Sequence, residues 1–159
     1  MKRVSTVFLQ VVIVLIGLLA LTLLIWFPLI EGRATNLDLL SIYSDFFILY
    51  VYASSVPFFI ALYKAIRLLG YIGRNKVFSP LAVNALKSIK YCALILGALV
   101  VAAGLFIRFI YSGDDDPAGF VAICIVITFA SIVVATAAAI FEKLLQKALD
   151  MKSENDLTI

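Results

Sequence analysis

Histidine is absent from the 159 residues, and the chain has only two cysteines, one tryptophan and 14% charged residues. Without histidine, the chain cannot ligate haem through two imidazoles or relay protons through histidine. The cysteines do not form a C-x-x-C pair, and no cluster of cysteines and carboxylates has the spacing of a metal site. The sequence therefore predicts neither a resident metal nor a cofactor.

Patterns typical of catalysis are missing as well. The serines have no histidine or suitable lysine partner, the glycines do not form a phosphate-binding loop, and no pair of carboxylates lies in a predicted cleft. The basic segments are too short and too poor in aromatic residues for a nucleic-acid-binding module. We expect a protein that is not an enzyme and does not bind nucleic acid directly.

Long apolar runs dominate what is present, since 64% of the residues are hydrophobic and the mean hydropathy is +1.12. Crossing a hydrocarbon core of about 30 Å takes about 20 helical residues, and a helix satisfies its own backbone in lipid. We predict an all-α polytopic membrane protein, a single bundle of four transmembrane helices. The spans are expected at about 4–30, 43–66, 91–111 and 118–145, followed by a tail over 146–159. The first run is longer than a secretory signal and is expected to be retained.

Positive charge is distributed unevenly between the predicted connections. Two of the 13 lysines and arginines precede the first span, six lie between residues 64 and 90, and three follow residue 141. Only Arg33 and Arg108 belong to the other face. Because basic residues accumulate on the cytoplasmic side, both termini and the 64–90 connection are predicted to be cytoplasmic.

The central connection contains the stretch NKVFSPLAVNALKSIK, residues 75–90. Ser79 suits a helix N-cap and Pro80 the first helical position, and the following residues alternate between an apolar and a polar face. This pattern predicts a short amphipathic interfacial helix between spans two and three. The helix is either only an anchor at the headgroups or also a docking surface for a cytosolic partner, with Arg74, Lys76 and Lys87 as contacts.

The second span carries unusual polarity near its middle, at Tyr50, Ser54 and Ser55, followed by Pro57. Proline removes a backbone donor and predicts a kink. The hydroxyls either satisfy the helices internally or border a pocket for a small apolar or lipid-like ligand.

Small residues recur every four positions in the last two spans and predict close helix packing. They would either close the four-helix bundle or pair two copies in a homodimer. Cys92 and Cys124 fall at different depths, so both thiols are expected to be free. The acidic run 114–116 is predicted to be a solvated turn, with a weak divalent-cation site as the alternative, and Arg108 is placed to pair with Asp45.

The fourth span is predicted to continue as a helix through EKLLQKALDMK before the ending SENDLTI. The end of the chain is either frayed or a binding segment whose free carboxylate and last side chains contact a partner. The candidate residues are Glu154, Asn155, Asp156, Leu157, Thr158 and Ile159.

The stretch NKVFSPLAVNALKSIKYCALI, the four-span layout and the ending ENDLTI together resemble a family of small bacterial membrane proteins classed as a domain of unknown function. The resemblance covers roughly residues 37–159, with the first helix matched more loosely. Genes of that family often lie beside a very small helix-turn-helix regulator of the Cro/CI type. The resemblance therefore implies a bacterial cytoplasmic membrane and a cytosolic regulator as partner, with the basic connection and the tail as the contact surfaces.

These observations together predict a non-catalytic membrane anchor or sensor that binds and controls a small cytosolic transcriptional regulator. The alternative is a small transporter or membrane-stress accessory protein that acts as a homo-oligomer.

Overall fold

The computed structural model of the protein describes residues 2–30, 46–74, 76–109 and 118–157. This part of the chain forms four helices: α1 (Lys2–Ile30), α2 (Phe46–Gly73), α3 (Pro80–Phe109) and α4 (Ala118–Leu157). Each helix is long and apolar enough to cross a membrane. The predicted all-α class with four candidate spans is therefore confirmed.

The helices pack in chain order, α1 on α2, α2 on α3 and α3 on α4. Glycines mark the places where two backbones approach. A Cβ atom at Gly97 would lie 3.3 Å from the Ser131 Cβ, and one at Gly104 would lie 3.4 Å from the Cys124 Cβ. The small-residue pattern of the last two spans thus joins α3 to α4 within one chain.

Helices α1 and α2 are joined by a similar set of contacts. The Gln10 Nε2 donates a hydrogen bond of 3.3 Å to the Ile66 carbonyl oxygen. Further along, Thr6 lies against Gly73 and the Leu62 side chain against Gly17. Since early residues of α1 meet late residues of α2, these two helices are antiparallel.

The best-packed apolar cluster lies where α1 and α3 begin and where α2 and α4 end, which we call the basic end. Leu86 and Ile89 of α3 and Ala138 of α4 are buried there, with partly buried neighbours Ala65, Leu68 and Leu145. This cluster fixes α2, α3 and α4 relative to one another.

The segment predicted as a separate interfacial helix is instead the beginning of α3, which runs from Pro80 to Phe109 as one helix. No proline or glycine interrupts the chain between Pro80 and Gly97. The apolar face of this segment is buried against other helices. Its amphipathic pattern therefore reflects packing within the bundle.

Two helices extend beyond the predicted span limits, since α2 continues past residue 66 to Gly73 and α3 begins before residue 91. The predicted helical continuation of the fourth span through EKLLQKALDMK is confirmed, and α4 runs on to Leu157. Both cysteines are free, as predicted, Cys92 half-buried and Cys124 buried. The start of the second span at residue 43, the turn at 114–116 and Asp45 lie outside the described residues.

Candidate functional site

A cavity of about 670 Å³ is lined by residues of α2, α3 and α4 and by Leu24 and Phe27 of α1, and we call it the central groove. Helices α2 and α4 both flank α3, so that α3 lies between the two walls. Its lining side chains include Tyr50, Ser54, Ser55, Pro57, Ala61 and Ala65 of α2, Ile89, Cys92, Leu96 and Ala103 of α3, and Phe120, Ile123, Ile127 and Ala130 of α4.

All four residues singled out in the second span, Tyr50, Ser54, Ser55 and Pro57, line the central groove. Their hydroxyls are nevertheless used within the protein. The Tyr50 hydroxyl donates to the Leu99 carbonyl oxygen at 2.7 Å, which ties α2 to α3. Ser54 and Ser55 donate to carbonyl oxygens of their own helix, at 2.8 and 2.7 Å. The surface that remains is almost wholly apolar, and no charged side chain of the described residues lines it.

Aromatic rings pack together at the end of the groove opposite the basic end. The Phe47 ring lies 6.3 Å from the Phe27 ring and 5.7 Å from the Phe120 ring, measured between centroids. Nearby, the Tyr52 hydroxyl donates to the Leu24 carbonyl oxygen at 3.1 Å. Tilted aromatic pairs at such separations add to the apolar contact. This aromatic cluster joins α1, α2 and α4.

The opposite end of the groove meets the buried cluster at Ile89 and Ala65 and has two lysines beside it. The Lys90 Nζ forms an ion pair with the Glu142 Oε2 at 2.6 Å, which joins α3 to α4. Lys64 is half-buried, and it follows the lining residues Ala61 and Pro57 by one and two turns of α2, so it lies along the same side of that helix. In the part of the chain that the structure describes, Lys64 has no carboxylate within ion-pair distance.

The connection between α2 and α3 has the predicted helix start. The Ala82 N–H donates to the Ser79 carbonyl oxygen at 3.0 Å and lies 3.4 Å from the Ser79 Oγ, so Ser79 is the N-cap and Pro80 the first helical residue. Before it, the Lys76 N–H donates to the Tyr71 carbonyl oxygen at 2.9 Å. Arg74, Lys76 and Lys87 are all exposed.

The tail is helical as far as Leu157, so Glu154, Asn155, Asp156 and Leu157 belong to α4. Thr158 and Ile159 lie outside the described residues. Gly97 meets Ser131 and Lys90 meets Glu142, so α3 and α4 are antiparallel. Continuing this register brings the beginning of α3 level with Asp150. Residues 151–157, which we call the α4 extension, therefore project beyond α3.

Side chains of the α4 extension are exposed from Met151 to Asn155. Its backbone is supported locally, since the Ser153 Oγ donates to the Asp150 carbonyl oxygen at 2.8 Å. The extension and the exposed residues Arg74, Lys76 and Lys87 belong to the same end of the bundle. The roles of these residues in binding stay predictions.

Two features of the site were not found from the sequence, the Lys90–Glu142 ion pair and the position of Lys64 beside the groove. Lys90 and Glu142 are 52 positions apart, and only the antiparallel register of α3 and α4 brings them together. The signal available in the sequence was weak, because both charges lie at predicted span ends, where charged residues are common.

The family described as "Protein of unknown function (DUF2975)" matches residues 3–159. The chain is also similar to the uncharacterized membrane protein YoaS of Bacillus subtilis (strain 168), with 44% identity over 161 residues that cover all of both chains. No solved structure matches. This is a bacterial multi-pass membrane protein with four candidate spans. The family resemblance is confirmed, and the regulator that it implies stays a prediction.

Proposed function

The chain belongs to the DUF2975 family, and we propose that it is a non-catalytic membrane protein that binds a soluble cytoplasmic partner through its basic end. The observation that carries the proposal is the α4 extension. Helix α4 has 40 residues and is therefore about 60 Å long, about twice the thickness of the hydrocarbon core. A span alone does not require that length.

The proposal places the basic end in the cytoplasm, because most lysines and arginines of the chain belong to it. The α4 extension presents an exposed helical surface there, and the beginning of α3 presents Lys87 beside the exposed Arg74 and Lys76. Complementary charge speeds encounter and fixes orientation at such a surface. The partner is expected to present an acidic face.

We further propose that the partner is a small helix-turn-helix regulator, as the family resemblance implies. Such a protein binds DNA through a basic face, so its remaining surface is available for the basic end. Binding would hold the regulator at the membrane. The Lys90–Glu142 ion pair joins α3 to α4 before the α4 extension begins and supports a mechanical connection between the extension and the bundle.

The test is a pull-down from native membranes in mild detergent, with bound proteins identified by mass spectrometry. The full chain is compared with a chain that lacks residues 153–159 and with the variant Lys87→Glu. Arg108→Glu is the matched control, since it makes the same charge change at the opposite end of α3. We expect a small DNA-binding protein with the full chain and with Arg108→Glu, and at least a tenfold loss with the other two.

Equal recovery with and without residues 153–159 would overturn the α4 extension as the docking surface. Recovery of no soluble protein in any case would favour the alternative, a homo-oligomeric transporter or stress accessory protein. That alternative rests on the central groove. Since no charged residue of the described chain lines the groove, an apolar substrate fits it better than an ion. Flux into vesicles that contain only this protein would test it.

A further inference from the structure

We propose that the central groove holds one acyl chain of an anionic phospholipid, whose headgroup lies beside Lys64 at the basic end. This site is separate from the docking surface of the α4 extension. It depends neither on the soluble partner nor on which side of the membrane the basic end faces.

The dimensions of the groove suit a single extended chain. Along α3 its lining runs from Ile89 to Ala103, which at 1.5 Å per residue is about 21 Å. One leaflet contributes about half of a hydrocarbon core of roughly 30 Å. An acyl chain whose headgroup stays at the basic end can therefore lie in the groove over its whole length.

The groove is open on the side of the bundle. In the described residues, the rings of Phe27, Phe47 and Phe120 pack together toward one end of the groove, and Leu86 and Ile89 are buried toward the other. Between these ends the α4 wall is open, since Ile123 is 59% exposed although it lines the groove. An opening on the side of a membrane-spanning bundle faces the bilayer, so a lipid is already beside it.

Chemistry within the groove also favours an alkyl chain. The hydroxyls of Tyr50, Ser54 and Ser55 donate to backbone carbonyl oxygens, so they need no ligand. A polar ligand would lose its hydration against these apolar walls without a compensating hydrogen bond. An alkyl chain incurs no such cost, because it moves from one apolar environment to another.

The positive charge of Lys64 favours an anionic headgroup. Lys64 is half-buried and follows Ala61 by one turn and Pro57 by two turns of α2, and both of these residues line the groove. At the same end of the bundle, Glu142 is already paired with Lys90. A half-buried ammonium without a carboxylate partner is stabilised by a phosphate group, as at other basic sites between transmembrane helices.

The test measures lipid retention by native mass spectrometry of the full chain, purified in mild detergent with equal amounts of phosphatidylglycerol and phosphatidylethanolamine. We expect one phosphatidylglycerol molecule per chain in preference to phosphatidylethanolamine. Lys64→Gln should lower that preference about fivefold, the factor that corresponds to about 1 kcal/mol for one lysine near anionic headgroups. The matched control Arg67→Gln removes an exposed charge one turn along α2, over the Tyr63 ring, and should leave the preference unchanged.

A second pair of variants tests the groove itself. Ala61→Leu together with Ala130→Leu fills it from both walls and should reduce retention of both lipids at least fivefold. Ala53→Leu adds the same group to an exposed position of α2 outside the lining and should retain lipid normally. If the variant with the filled groove does not fold, the comparison of the full chain with Lys64→Gln still tests the proposed lipid site. Equal headgroup preference in the full chain and in Lys64→Gln would overturn the proposal, as would lipid retention that groove filling does not change.

Discussion

At the residue scale, small side chains and isolated polar groups determine how closely the helices approach. Gly97 meets Ser131 where α3 and α4 are in contact, and the Cβ that glycine lacks would lie 3.3 Å from the Ser131 Cβ. Without a hydrophobic driving force in lipid, such contacts hold helices together through dispersion and close packing. The position of one methyl group therefore affects the whole α3–α4 contact.

Gly97→Leu is expected to lower the free energy of unfolding by about 1–3 kcal/mol, because the added side chain must displace Ser131 or separate the helices. The measurement is unfolding in mixed micelles of dodecyl maltoside and sodium dodecyl sulfate.

The matched control is Gly119→Leu, since a Cβ at Gly119 would meet nothing within 4 Å. It should be neutral or slightly stabilising, because leucine has the higher helix propensity. Equal destabilisation by both substitutions would contradict the role of Gly97 in close packing.

At the element scale, helices that are longer than their spans build the end of the bundle. Helix α3 begins at Pro80, well before its predicted span, and α4 continues to Leu157. Their additional turns bury Leu86 against Ala138 and Leu145. The amphipathic pattern at the beginning of α3 was correctly recognised, but its apolar face packs on neighbouring helices. The periodicity of apolar residues shows that one face of a helix is covered, but it does not identify what covers that face.

Ser79→Ala should destabilise the beginning of α3 by about 1 kcal/mol, because the substitution removes the N-cap side chain. The same mixed-micelle unfolding experiment measures the change. Ser88→Ala is the internal control: the Ser88 Oγ donates within its own helix to the Asn84 carbonyl oxygen, and its loss should change stability by less than about 0.5 kcal/mol. A loss at Ser88 as large as that at Ser79 would indicate a general sensitivity of α3 instead of a capping effect.

At the scale of the whole molecule, antiparallel packing places the beginnings of α1 and α3 and the ends of α2 and α4 at one end. The contacts of Gln10 with Ile66 and of Lys90 with Glu142 show this arrangement directly. Most lysines and arginines of the chain therefore belong to this end, and the positive-inside rule predicts that it faces the cytoplasm.

Sidedness can be measured with a membrane-impermeant maleimide on a chain with Cys92→Ala and Cys124→Ala. We expect a cysteine introduced by Lys76→Cys to react only after the cells are permeabilised. Ser112→Cys, in the connection between the predicted spans 91–111 and 118–145, should react in intact cells. The opposite result would place the basic end outside the cell and remove the cytoplasmic docking surface.

The four long apolar runs of the sequence determined that this chain spans a membrane with four helices, because about 20 consecutive apolar residues have no other stable environment. Local chemistry determined the cap at Ser79 and the hydrogen bonds of Ser54 and Ser55 within α2, since these depend on neighbours within a few positions. The Tyr50 hydroxyl instead required the packing of α2 on α3, because its acceptor is the Leu99 carbonyl oxygen.

Only the tertiary structure decided how the four helices and their side chains come together. The central groove requires α2 and α4 to flank α3, and the Lys90–Glu142 pair requires residues 52 positions apart to meet. The projection of the α4 extension likewise depends on where α3 begins relative to α4. Such features follow from the register between helices, which is set by many small contacts at once and by no single motif in the sequence.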